Sequence, residues 1–88
     1  MRHFASRKFW DAYQNLPPHV RAVADKNYVL LKDNPQHPSL HLKKVGRFRS
    51  VGVGLNYRPL AVEAGDGLLW FWIGTHADYD TQIRSEGS

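Results

Sequence analysis

Apolar positions change their period partway along this chain. Phe9, Ala12, Tyr13 and Leu16 fall at i, i+3, i+4 and i+7, one face of a helix. Ser6 stands where it can cap that helix. Pro17 ends it, because the residue before a proline is pushed out of the α region. Val20, Val23, Ala24, Asn27, Tyr28 and Leu31 paint a second helical stripe, opened by Pro18 and stopped at Asn34-Pro35. The link at 16–18 is too short for anything but an antiparallel or steeply crossed neighbour, so residues 6–33 read as an αα-hairpin.

Beyond residue 50 the period becomes two. Val51, Val53 and Leu55 alternate with Gly52 and Gly54 and predict a strand, whose bare glycine face admits another backbone or a ligand. Residues 57–64 and 68–73 predict two more strands across a tight Gly65-Asp66-Gly67 turn. In the last one Leu68, Trp70 and Trp72 share one face and Leu69, Phe71 and Ile73 the other. A strand apolar on both faces is covered on both sides. The helical hairpin covers one side, and the C-terminal segment is what remains for the other. There Thr75 caps a final helix with Asp78 three residues on, and residues 84–88 read as a disordered tail. Residues 1–5 read as loose or as a short edge segment.

The order α-α-β-β-β-α is that of one small α+β domain over residues 1–88. It consists of a helical hairpin on a three- to four-stranded antiparallel sheet, closed by a short C-terminal helix. Its 88 residues, with 12% aromatics, suit a single ring-rich core. The absence of cysteine excludes disulfides and thiolate metal sites. No apolar run is long enough to span a membrane, and the N-terminus lacks the apolar stretch of a signal peptide, so a cytoplasmic protein is expected.

Charge is unevenly spread. Residues 1–50 carry ten Lys and Arg against three Asp, while residues 51–88 carry two Arg against five acids. Lys43, Lys44, Arg47 and Arg49 are grouped around Gly46, which marks a turn. They suit phosphates or an acidic partner, or simply a solvated face. Arg58 is the best single candidate for an anion contact, although period-two parity puts it on the face of Leu60 and Val62. Its alternative is a pairing with Glu63 or a carbonyl. Pro59 beside it predicts an edge or a bulge that would reset the parity.

His76, in the first turn of the last helix, can exchange protons near neutral pH or be a surface residue beside a cap. Asp78 is better read as the cap than as a catalyst, and Asp80 as a solvated helix residue. His37 and His41 have the spacing of helical zinc ligands but lie in a proline-bracketed loop, so no metal or cofactor is expected. Trp70 and Trp72 offer a stacking platform for bases or, more simply, core.

The ordered strings FWDAYQNLPPHVRAVADKNY, NPQHPSLHLKKV, NYRPL and WFWIGTHADYD resemble the RelE/ParE superfamily of toxins from bacterial type II toxin–antitoxin modules. The strand that usually precedes the first helix of that family looks shortened or absent. The resemblance implies a toxin neutralised by a cognate antitoxin that wraps around it. It also implies a metal-independent endoribonuclease acting on mRNA, often at the ribosome, or, in the ParE branch, an inhibitor of DNA gyrase. It makes Arg58 the arginine on the scissile phosphate, and His76 and Tyr79 the acid–base or stacking groups. By resemblance a basic residue is expected where this chain reads Ser50-Val51-Gly52.

Overall fold

The computed structural model describes residues 2–87. A five-stranded sheet runs in the order β1-β5-β4-β3-β2, formed by Arg2–Ala5, Gly67–Thr75, Tyr57–Ala64, Phe48–Ser50 and Lys43–Val45. Helices α1 (Arg7–Gln14) and α2 (Pro18–Asp33) form the hairpin on one face, and α3 (His76–Gly87) lies on the other.

The hairpin follows the expected chemistry. Ser6 Oγ accepts the Phe9 N–H at 3.2 Å, satisfying one of the free donors at the start of α1. Pro18 occupies the first turn of α2. Tyr13 donates its hydroxyl to Asp25 Oδ1 at 2.5 Å and ties the two helices. The stripe on α2 is narrower than the spacing predicts. Val20 and Leu31 are buried, while Val23 and Tyr28 are left exposed.

The sheet corrects the expectation in two places. It has five strands and is mixed, because residues 2–5 form the short edge segment β1, paired parallel to β5 with Arg2 opposite Gly67. Parallel pairing makes this strand illegible from the neighbouring hairpin turns. The strand predicted from Val51, Val53 and Leu55 also moves. The ladder lies over the basic block instead, as the β2–β3 hairpin closed by Gly46 at φ +58°, where a residue with a side chain is strained. Val51 and Val53 follow as buried extended chain, with one bridge from Val53 to Tyr57, and Leu55 is solvent-exposed.

A bulge decides which tryptophan faces which helix. Leu60 pairs with Trp72 but Ala61 pairs with Trp70, so the register skips Phe71. Trp70 and Trp72 therefore do not share a face. Trp70 packs with Leu31, Leu40, Val51, Ala61 and Leu68 under the hairpin. Trp72 packs with Phe48, Leu60 and Tyr79 under α3. Ile73 returns to the hairpin side with Leu16, Val20 and Val53. The bulge on β5 leaves Pro59 in register with Ile73, so the alternation of β4 is not reset there. Pro59 is tolerated in an interior strand because pairing to β3 stops at Ser50 and Leu60. The α3 helix starts at the Thr75 cap, with the Asp78 N–H on Thr75 Oγ1 at 3.2 Å. It continues through 84–87, most of the stretch read as a tail, and Ser88 lies outside the described residues.

Candidate functional site

Arg58 leaves β4 on the α3 side of the sheet, in line with Leu60, as parity predicts. Only 6% of it is exposed. Two contacts of its guanidinium define the site. Nη2 donates to the His41 carbonyl over a long 3.5 Å, and the Tyr79 ring centre lies 5.6 Å from Cζ. Nη1 is buried with no hydrogen-bond partner among the described residues. A guanidinium carries five donors, and a buried cation is stable when these are paired. One weak bond and a ring face leave this one short of an anion. Of the two pairings weighed as alternatives to an anion contact, the carbonyl is present over a long distance, while Glu63 is taken by Arg49.

His76 and Tyr79 sit one turn apart on α3, with ring centres 5.5 Å apart and planes inclined by 58°. His76 is exposed, and its backbone N–H holds the Asn56 carbonyl at 2.7 Å, fastening the helix start to the approach of β4. Tyr79 is buried against Phe48, Leu60 and Trp72. The fold thus aligns exposed His76, buried Tyr79 and buried Arg58 by two successive ring contacts.

The basic block is not one patch. Lys43 is in register with Ser50 and Leu60 and shares the Arg58 face of the sheet. Lys44 is in register with Arg49 and Ala61 and faces the hairpin side. Arg49 forms an ion pair with Glu63, and Arg47 lies over the Phe48 ring at 5.2 Å. Strand alternation therefore divides a cluster that looks contiguous in sequence.

Sequence reasoning passed over His41 except as a zinc ligand. Among the described residues no group of three or more His, Asp or Glu side chains could hold a metal. His41 ends the single 3₁₀ turn Pro38–Leu40 in the left-handed region, at φ 49° and ψ 48°. Its carbonyl reaches Arg58, and the only signal for it was the HPSLH string beside the basic block. On the opposite side of the sheet an apolar cavity of about 270 Å³ lies between the hairpin and β5, lined by His3, Phe9, Trp10, Tyr28 and Trp70 among others. There Trp70 Nε1–H donates to His3 Nδ1 at 3.1 Å. His3 titrates below its ordinary 6.5, first because it is partly buried and then because of nearby positive charge, that of Lys32 included.

No family model and no curated protein matches this chain. Solved structures do. The chain superposes on a protein of the RelB-RelE antitoxin–toxin complex from Methanococcus jannaschii with a TM-score of 0.73 and 15% identity, covering 91% of this chain and 98% of that one. The fold is that of the RelE-type toxins. YafQ from E. coli strain BL21(DE3) matches at 0.65 and 14%, over 89% of this chain and 96% of its own. A copper-bound mutant toxin from Helicobacter pylori matches at 0.62 and 14%, over 89% and 97%. The resemblance carried by the sequence strings is thus borne out as fold. The strand before α1, expected to be shortened or absent, is present here with four residues, Arg2–Ala5. No helix among the described residues is long and apolar enough to cross a membrane.

Proposed function

We propose that this chain is the toxin of a type II toxin–antitoxin module and acts as a metal-independent endoribonuclease on mRNA. One observation carries the reading: Arg58 is buried and under-paired, joined through the Tyr79 ring to the exposed His76. RNA cleavage by its own 2′-hydroxyl needs proton transfer at the attacking and leaving oxygens, and positive charge on the phosphate between them. In this reading the 2′-oxygen forms a bond to phosphorus as the bond to the 5′-oxygen breaks. His76 takes or gives a proton at these oxygens, and Arg58 stabilises the extra negative charge of the phosphorane. Tyr79 acts on both as a buried wedge. Lys43, on the same face, supplies charge for the RNA backbone, with Arg47 beside the β2–β3 turn, whereas Lys44 and Arg49 face the hairpin side of the sheet and take no part in this contact. The complexed state of the Methanococcus jannaschii toxin supports a cognate antitoxin as partner.

A second reading is favoured by Gly52, which offers no side chain where a basic one is expected. It is a non-nuclease member of the fold, either a gyrase-inhibiting toxin or a protein that binds its antitoxin and regulates the operon. Induction of the chain in bacterial cells, with mapping of mRNA ends, separates the two. The first reading expects new 5′-hydroxyl ends that vanish with Arg58→Ala or His76→Ala. Growth arrest with intact mRNA and damaged DNA sinks it. Cleavage in a purified reaction with and without ribosomes then tells whether the ribosome is part of the site.

A further inference from the structure

We infer that the imidazole of His41 is a second phosphate-contacting group beside Arg58, standing in the space that Gly52 leaves open. Its use in RNA cleavage rests on the ribonuclease reading above; its chemistry, anion binding, stands by itself. His41 is the one non-glycine residue at positive φ among the described residues. For a residue with a Cβ that conformation is strained, so the surrounding structure must hold it. It does. The His41 N–H closes on the Pro38 carbonyl at 3.2 Å, and the Gly52 N–H donates to the Leu40 carbonyl at 2.7 Å. Asn27 on α2 holds the Gly52 carbonyl at 2.8 Å. The turn at His41 and the bare backbone at Gly52 are thereby clamped together.

The clamp gives His41 two contacts at once. Its carbonyl meets the Arg58 guanidinium, and its ring carbon Cδ2 lies 3.9 Å from where a Cβ on Gly52 would stand. An exposed imidazole thus lies over the bare backbone of Gly52. His37, four residues earlier, has no such freedom. Its Nδ1 accepts the Ser39 N–H and lies 2.8 Å from the Ser39 hydroxyl. Because the His41 carbonyl already meets the under-paired guanidinium, an N–H of its exposed imidazole is the second donor that a phosphodiester oxygen bound at Arg58 would meet.

The test is an NMR titration of the full chain with inorganic phosphate, run beside an RNA cleavage assay. The His41 ring resonances and the Arg58 side-chain resonances are expected to move together on one saturation curve. His41→Gly and His41→Asn both accept the left-handed backbone, so they keep the fold and its Tm. Each is expected to weaken phosphate binding by roughly tenfold, the size of one lost charge-assisted hydrogen bond. His41 resonances that stay still, or variants that bind phosphate as the parent does, overturn the inference. A parent chain that binds phosphate through both residues yet leaves RNA uncut supports the inference and removes the ribonuclease reading. Cleavage by both variants with unchanged KM does the reverse.

Discussion

The Arg58 guanidinium lies 5.6 Å from the centre of the Tyr79 ring, and both residues are buried between the sheet and α3. The contact makes one tyrosine both a core residue and the cover of a cation. Its two parts can be separated. Tyr79→Phe keeps the ring and is expected to change stability by less than about 1 kcal/mol and to retain activity. Tyr79→Ala leaves a cavity under α3 and is expected to cost about 3 kcal/mol in chemical denaturation, with activity lost. A Tyr79→Phe variant that is stable but inactive would instead assign the hydroxyl to proton transfer.

Arg58 sets function against stability. A buried ion without a full set of partners contributes little to folding, and an apolar residue of similar volume is often neutral or better. Arg58→Met is therefore expected to hold or raise Tm. The same change should lower RNA cleavage by about 100-fold, the scale of removing one group that stabilises transition-state charge. Loss of Tm by Arg58→Met would show that the guanidinium is structural.

Gly52 is open to a side chain. A Cβ there meets the Leu40 carbonyl at 3.7 Å and His41 Cδ2 at 3.9 Å, ordinary contact distances. Gly52→Arg is expected to fold with an unchanged Tm and to bind RNA more tightly, with a steeper salt dependence by about one phosphate contact. Gly67 is the contrast, because a Cβ there would lie 2.0 Å from the Arg2 carbonyl oxygen. Gly67→Ala is expected to unpair β1 and lower Tm, and faster hydrogen exchange at residues 3–5 would report it.

His3 makes stability depend on pH. Burial holds its folded-state titration below 6.5, so below that pH the unfolded chain takes up a proton that the folded chain resists. The folded state is therefore destabilised as pH falls from 6.5 toward the lowered folded value, and unaffected by His3 above it. Protonation also removes the Nδ1 acceptor from Trp70 Nε1–H. Denaturant midpoints between pH 7.5 and 5 are expected to fall less in His3→Gln than in the parent. Equal slopes would overturn this.

Much of the molecule was legible in order of residues alone. Ser6, Pro17 and Pro18 act on the backbone within a few bonds, so the hairpin and its ends follow from local sterics and capping. The same holds for Thr75 and the start of α3. Period two carried Arg58 to the face of Leu60, because alternation persists until a bulge interrupts it.

What the chain order could not decide depends on partners far away in sequence. The parallel pairing of residues 2–5 with β5 arises from the sheet edge that β5 leaves open, a non-local contact with no local signal. The skipped Phe71 parts Trp70 from Trp72, since a one-residue offset in register inverts every side chain beyond it. Register likewise splits Lys43 from Lys44 and gives Glu63 to Arg49. The sequence by itself determined the helical hairpin, the β4–β5 pair, the caps at Ser6 and Thr75 and the residue types that could meet a phosphate. Only the tertiary structure decided that Arg58 lies buried under Tyr79 and that His41 folds back over Gly52, because burial and approach are set by all the strands and helices together.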